Sequence, residues 1–144
     1  MKRWLLAFVL IFTLALSAPA MALDWHTANQ ATVAWDAVTT LGDGTPIPAG
    51  STIEYTVYLA NSITDPDKAN PSEIATVAAT EYTITLNTEG SFYVGLQSIR
   101  LVDSVEVSAS TIIWSDDPAV VQGGATFGIR YFLSPAAPSG LRPQ

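Results

Sequence analysis

The only histidine of the chain, His26, stands beside Trp25 and has no partners in sequence for the chemistry an imidazole could perform. One imidazole cannot build the multi-ligand site of a zinc hydrolase. Service as a general base would need an activated hydroxyl, and no Gly-x-Ser-x-Gly context is present. The absence of cysteine removes thiolate catalysis, cysteine-ligated zinc, haem attachment through thioethers and an acylated lipoprotein cysteine. Carboxylates are more plentiful: Asp43 precedes Gly44, Asp65 and Asp67 flank Pro66, and Asp116 adjoins Asp117. Calcium prefers such oxygens brought together. None of these groups has the spacing of an EF-hand or an Asp-x-Asp ladder, and Asp-Gly and Asp-Pro pairs are ordinary turn formers. Carboxylates paired in space, as in glycoside hydrolysis, leave no mark in sequence. The residue types therefore predict no catalytic residue, no metal ligand and no cofactor.

Aromatic side chains are the stronger candidates for recognition. Trp25, Tyr93 and Trp114, with Tyr58 beside them, fall at terminal positions or on the polar parity of their segments, where they could stack on the faces of a sugar. The competing expectation is that they pack beneath a C-terminal flap, since an uncovered aromatic patch is adhesive. Trp35 and Tyr55 share parity with aliphatic neighbours and are assigned to the core. Trp25, Tyr93 and Trp114 are thus the predicted ligand-binding residues.

The elements that must position them are strands. After residue 22, segments rich in Thr, Val, Ile, Tyr and Trp alternate in polarity and are separated by Gly, Pro, Asn and Asp. Ala31–Asp36 points Val33 and Trp35 one way. Thr52–Ala60 alternates strictly, with Ile53, Tyr55, Val57 and Leu59 opposite Thr52, Glu54, Thr56 and Tyr58. Shorter strands are expected at Glu73–Val77 and Glu81–Leu86, a long one at Ser91–Leu101 with Phe92, Val94 and Leu96 inward, and another at Val107–Ser115. Turn formers fill Thr39–Ser51 and Asn61–Ser72. The missing crossover helices exclude a parallel α/β fold. An all-β, two-sheet antiparallel β-sandwich is expected.

The first 22 residues read as an export signal. Lys2 and Arg3 precede an apolar run from Trp4 to Leu16, and a small-x-small pattern ends at Ala22, which makes Leu23 the expected first mature residue. The apolar run is shorter than the roughly 20 residues of a spanning helix, so no membrane insertion is expected after cleavage. The protein is predicted to be secreted or extracellular; the periplasm and the cell surface both fit. The whole chain carries a net charge of −7, and the 122 residues after the signal hold four basic against thirteen acidic residues, a net charge of −9. With its few basic residues scattered, such a chain is not expected to bind nucleic acid. Without disulfides, the exported domain must stand on its hydrophobic core.

Thr32-Val33-Ala34-Trp35-Asp36, Tyr55-Thr56-Val57-Tyr58, Tyr82-Thr83-Ile84-Thr85-Leu86 and Phe92-Tyr93-Val94-Gly95-Leu96, followed by Ser108-Ala109-Ser110, resemble in order and spacing a fibronectin type III domain, here in a secreted, bacterial-type protein. The resemblance covers about Ala31 to Trp114 and implies an immunoglobulin-like sandwich with Trp35 in its core. Two departures stand out. Phe92 occupies the place of the family's corner tyrosine, and only Leu23–Gln30 precede the tryptophan strand. Arg100-Leu101-Val102-Asp103 lacks the Arg-Gly-Asp signal of integrin-binding members, so that activity does not carry over.

Beyond the resemblance, Phe127, Ile129, Tyr131 and Leu133 share one face of a further strand and are the candidate strand-pairing or assembly residues. Pro135–Arg142 resembles the opening of another first strand. The expected organisation is a signal peptide at 1–22, a sandwich at 23–118 and a C-terminal extension at 119–144 with one strand and a Pro-rich tail. The expected function is a non-enzymatic module for extracellular protein interaction or structural assembly, with a protein partner or self-assembly. The alternative is a carbohydrate-binding or calcium-dependent ligand-binding module.

Overall fold

Period-two alternation becomes nine strands in the computed structural model, which describes residues 22–139 and 142 and contains no α-helix among them. They are β1 (Asp24–Thr27), β2 (Gln30–Ala34), β3 (Ser51–Asn61), β4 (Ser72–Val77), β5 (Glu81–Thr85), β6 (Gly90–Val102), β7 (Val105–Ala109), β8 (Ile113–Trp114) and β9 (Phe127–Tyr131). The predicted export signal lies outside the described residues, except for Ala22. No described helix is long and apolar enough to cross a membrane.

Seven strands form one sheet, in the order β1-β9-β6-β3-β4, with β7 and β8 also on β6; β2 and β5 form the second. The 13 residues of β6 span roughly 44 Å at strand rise. That length lets one edge take three partners in turn: β9 along Gly90–Phe92, β8 along Gly95–Leu96 and β7 along Ile99–Val102. The other edge pairs with β3 from Phe92 to Val102. Side chains from both sheets meet in one core, with Val33 and Ile84 from the small sheet against Val57, Val94 and Ile129 from the large one. The arrangement is all-β and sandwich-like.

Inward parities follow the alternation. Tyr55 is 3% exposed and Val57 fully buried, while Trp35 and Phe92 are partly buried against the core. The Trp35 and Tyr55 rings lie 5.4 Å apart at 59°, and the Tyr55 hydroxyl accepts the Val38 N–H at 2.9 Å. Thr56 departs from expectation. On the polar parity of β3, it is nevertheless buried, because its hydroxyl pairs with that of Thr76 at 2.9 Å and the outer face around it is covered.

Four differences concern topology. Residues 24–27, too few to suggest a strand, form β1 in parallel with β9, so the sheet is mixed rather than antiparallel. The strand expected over Val107–Ser115 is two strands: β7 starts after a tight turn with Asp103 and Ser104 at positive φ, and pairing lapses between Ala109 and Ile113. The strand of the C-terminal extension is internal, held between β1 and β6. It also ends at Tyr131, which leaves Leu133 outside the sheet and 68% exposed. Ser115 splices β8 to β9: its N–H and hydroxyl engage Val94, and its carbonyl accepts the Phe127 N–H at 2.9 Å.

Candidate functional site

On β6 the core takes Phe92, Val94 and Leu96, so alternation turns Tyr93 and Gly95 to the outer face of the large sheet. Register places Tyr58 and Trp114 on either side of Gly95, and Trp25 beside Gly128. The three predicted recognition residues therefore gather on one face. Trp25 stacks on Tyr93 with ring centroids 6.0 Å apart and an interplanar angle of 28°. Arg130 lies 4.6 Å from the Trp25 ring centre, and Lys68 Nζ lies 4.9 Å from that of Tyr93 and 5.8 Å from that of Trp114. Cations over aromatic faces are attracted by the ring quadrupole.

Lys68 reaches this face because the β3–β4 loop is tightly tied. Asn61 Oδ1 accepts the N–H groups of Ile63 and Thr64, and the Asp65 carboxylate accepts those of Ala69 and Asn70. Lys68 itself adopts φ 57° and pairs with Asp116 at 2.7 Å. Asp116 Oδ1 is buried with no partner among the described residues. Tyr58 donates its hydroxyl proton to Gln97 Oε1 at 2.9 Å, and its burial, with Glu73 adding to the effect, raises its pKa above the ordinary tyrosine value.

The acidic loops stay apart. Hydrogen bonds from the Thr45 hydroxyl at 2.6 Å and the Thr45 N–H at 3.0 Å hold the Asp43 carboxyl below its usual range. Asp117 accepts the Ala119 N–H in its own turn. Among the described residues no three His, Cys, Asp or Glu side chains come together as a metal site. His26 is exposed, its Nε2 3.3 Å from the Gln30 carbonyl. Of the candidate assembly residues, Ile129 is fully buried and Phe127 and Tyr131 pack on the core, so only Leu133 is presented outward.

A second feature lies between the sheets, and the sequence did not point to it. A groove of about 590 Å³ runs beside β2, walled by Val33, Trp35 and Val38 on one side and by Ile113, Val120 and Val121 on the other. Its upper rim is unpaired backbone. The bonds Trp35 N–H to Thr80 and Leu86 N–H to Asn29 set the ladder phase, so odd residues of β2 bond to β5 and even ones face away from it. Thr32 and Ala34 thus turn both backbone groups to an edge that no described strand occupies. Trp35 Nε1 is buried there without an acceptor among the described residues, a state that costs about 1–3 kcal/mol. A two-stranded sheet gains from any third strand.

Fold and site together define an all-β, sandwich-like protein with an aromatic–cation array on one face and an open sheet edge at the other. No family model, curated protein or solved structure matches the chain.

Proposed function

We propose that this protein is an exported, non-enzymatic interaction module, a fibronectin type III-like sandwich that joins extracellular proteins or assembles with itself. The observation that carries this reading is the outer edge of β2, unpaired among the described residues and beside an apolar groove. Exposed edges template strand addition, with main-chain bonds supplying affinity and the adjoining pockets supplying selectivity. The outer-face rings favour a structural role for that side, since they engage one another, two cations and glycine backbone. A photo-crosslinking residue at Thr32, introduced in the producing cells, tests the reading. A protein adduct is expected outside the cytoplasm, whereas the same residue at Asp67, exposed in the β3–β4 loop away from the edge of β2, gives none. Retention of the protein in the cytoplasm, or absence of any protein adduct at Thr32, overturns it.

The carbohydrate reading is supported by one observation, the gathering of Trp25, Tyr93 and Trp114. It predicts that polysaccharide changes tryptophan fluorescence in the parent protein but not in Trp25→Ala. No change in the parent removes it.

A further inference from the structure

We infer that the groove beside β2 receives residues Leu133–Ala137 of a second copy of this chain, added as an antiparallel strand in head-to-tail order. This rests on the interaction-module reading and names its partner. The segment after β9 pairs with no strand among the described residues, though its Leu133 N–H bonds to the Glu89 side chain: residues 132–139 are all exposed, with Phe132 at 53% and Leu133 at 68%.

Parity selects this segment and its direction. In an antiparallel ladder, residues that exchange hydrogen bonds carry their side chains on the same face. Thr32 and Ala34 offer their backbone to the open edge and point their side chains outward, so incoming residues that bond to them also point outward. Opposing Ser134 to Ala34 and Ala136 to Thr32 supplies an N–H at both positions. Leu133, Pro135 and Ala137 then face inward, beside Trp35, Val33 and Ala31. The missing N–H of Pro135 falls on the side away from β2, where a strand tolerates proline. The next bonding position would pair Pro138, which has no N–H, with Gln30, whose carbonyl already faces His26 Nε2. The ladder ends there on both strands. Parallel addition would instead turn Ser134 into the apolar groove.

Geometry assigns the donor to another molecule. The tail leaves its own domain at the Gln30 end of β2, where the Leu133 N–H donates to Glu89 and the Leu86 N–H to Asn29. From that point a chain turned back along β2 runs parallel to it. Antiparallel entry starts at the Asp36 end, about 20 Å away at strand rise. Charge agrees: every Asp and Glu of the chain lies between Asp24 and Asp117, so the acceptor is acidic, with Asp36 on the groove wall. The donor segment carries no acid, and Arg142 follows it.

Sedimentation of the complete chain over a range of concentrations tests the inference, with two variants at adjacent exposed residues that leave the domain untouched. The parent is expected to form oligomers that grow with concentration. Ala136→Pro removes an N–H aimed at β2 and lowers association by roughly tenfold or more. Ala137→Pro removes one aimed away and changes it by less than about threefold. Hydrogen exchange at Thr32 and Ala34 slows only on association. A monomer at all concentrations up to about 1 mM, where only interactions near −4 kcal/mol are missed, overturns the inference. Association that ignores the two prolines also overturns it while leaving the interaction-module reading intact. So does protection of Thr32 and Ala34 in the monomer, whether it is lost when the chain starts at Leu23 or when a bound small molecule is extracted.

Discussion

Trp25 occupies the space that a side chain on Gly128 would need: a β-carbon built on that glycine would stand 2.5 Å from Cζ3 of the indole and 3.1 Å from the Phe92 carbonyl oxygen. The parallel pairing of β1 with β9 creates this fit, because it sets the two residues side by side. Gly128→Ala is expected to destabilise the fold by about 1–3 kcal/mol through overpacking. Combining it with Trp25→Ala recovers part of the loss, since the backbone contact to Phe92 remains. Urea denaturation of both single variants and the double variant measures the coupling; strict additivity would separate the two residues.

Ile129 ties the C-terminal strand to the core. Fully buried, it should cost about 2–5 kcal/mol when replaced by alanine, read as a lowered denaturation midpoint without a changed slope. A chain ending at Pro118 removes β9, deprives β1 of its partner and uncovers the Gly90–Phe92 edge of β6. Such a chain should fail to fold cooperatively. A normal unfolding transition would show residues 119–144 to be an appendage.

Lys68 balances Asp116, whose second oxygen has no partner among the described residues. Lys68→Ala should destabilise by about 1–2 kcal/mol, an amount between the exposed and buried ion-pair limits because both side chains are about one-fifth exposed. Asp116→Asn in the Lys68→Ala background should restore part of the loss by discharging the carboxylate. Thermal melts of the three proteins decide, and an equal loss in single and double variants would place the effect in the lysine's packing over Tyr93 and Trp114.

Tyr58 supplies a pH dependence. Burial holds its phenol in the neutral form past the ordinary value of 10.0, so the folded protein binds this proton more tightly than the unfolded chain. The stabilisation is present in full below pH 10.0 and is lost as pH rises through the folded-state pKa. Absorbance at about 295 nm should show a late-titrating component in the parent that is lost in Tyr58→Phe. Stability measured between about pH 9 and 11 should fall less in that variant than in the parent.

Strand positions and inward faces were legible in the sequence because they depend on local period-two alternation: Val33, Tyr55, Val57 and Val94 lie inward as their neighbours dictate. Trp25, Tyr93 and Trp114 could be nominated for the outer face, but nothing local says that residues so far apart will meet. Their meeting follows from β8 and β9 sharing the edge of β6, from β1 lying along β9, and from glycines at 95 and 128 that leave room for the rings. The short β1 carries too few residues for a pattern and exists because β9 offers it a backbone. The same holds for the open edge of β2. Alternation is a property of one strand, whereas the presence of a neighbour depends on where the rest of the chain has gone, and only the tertiary structure decides that.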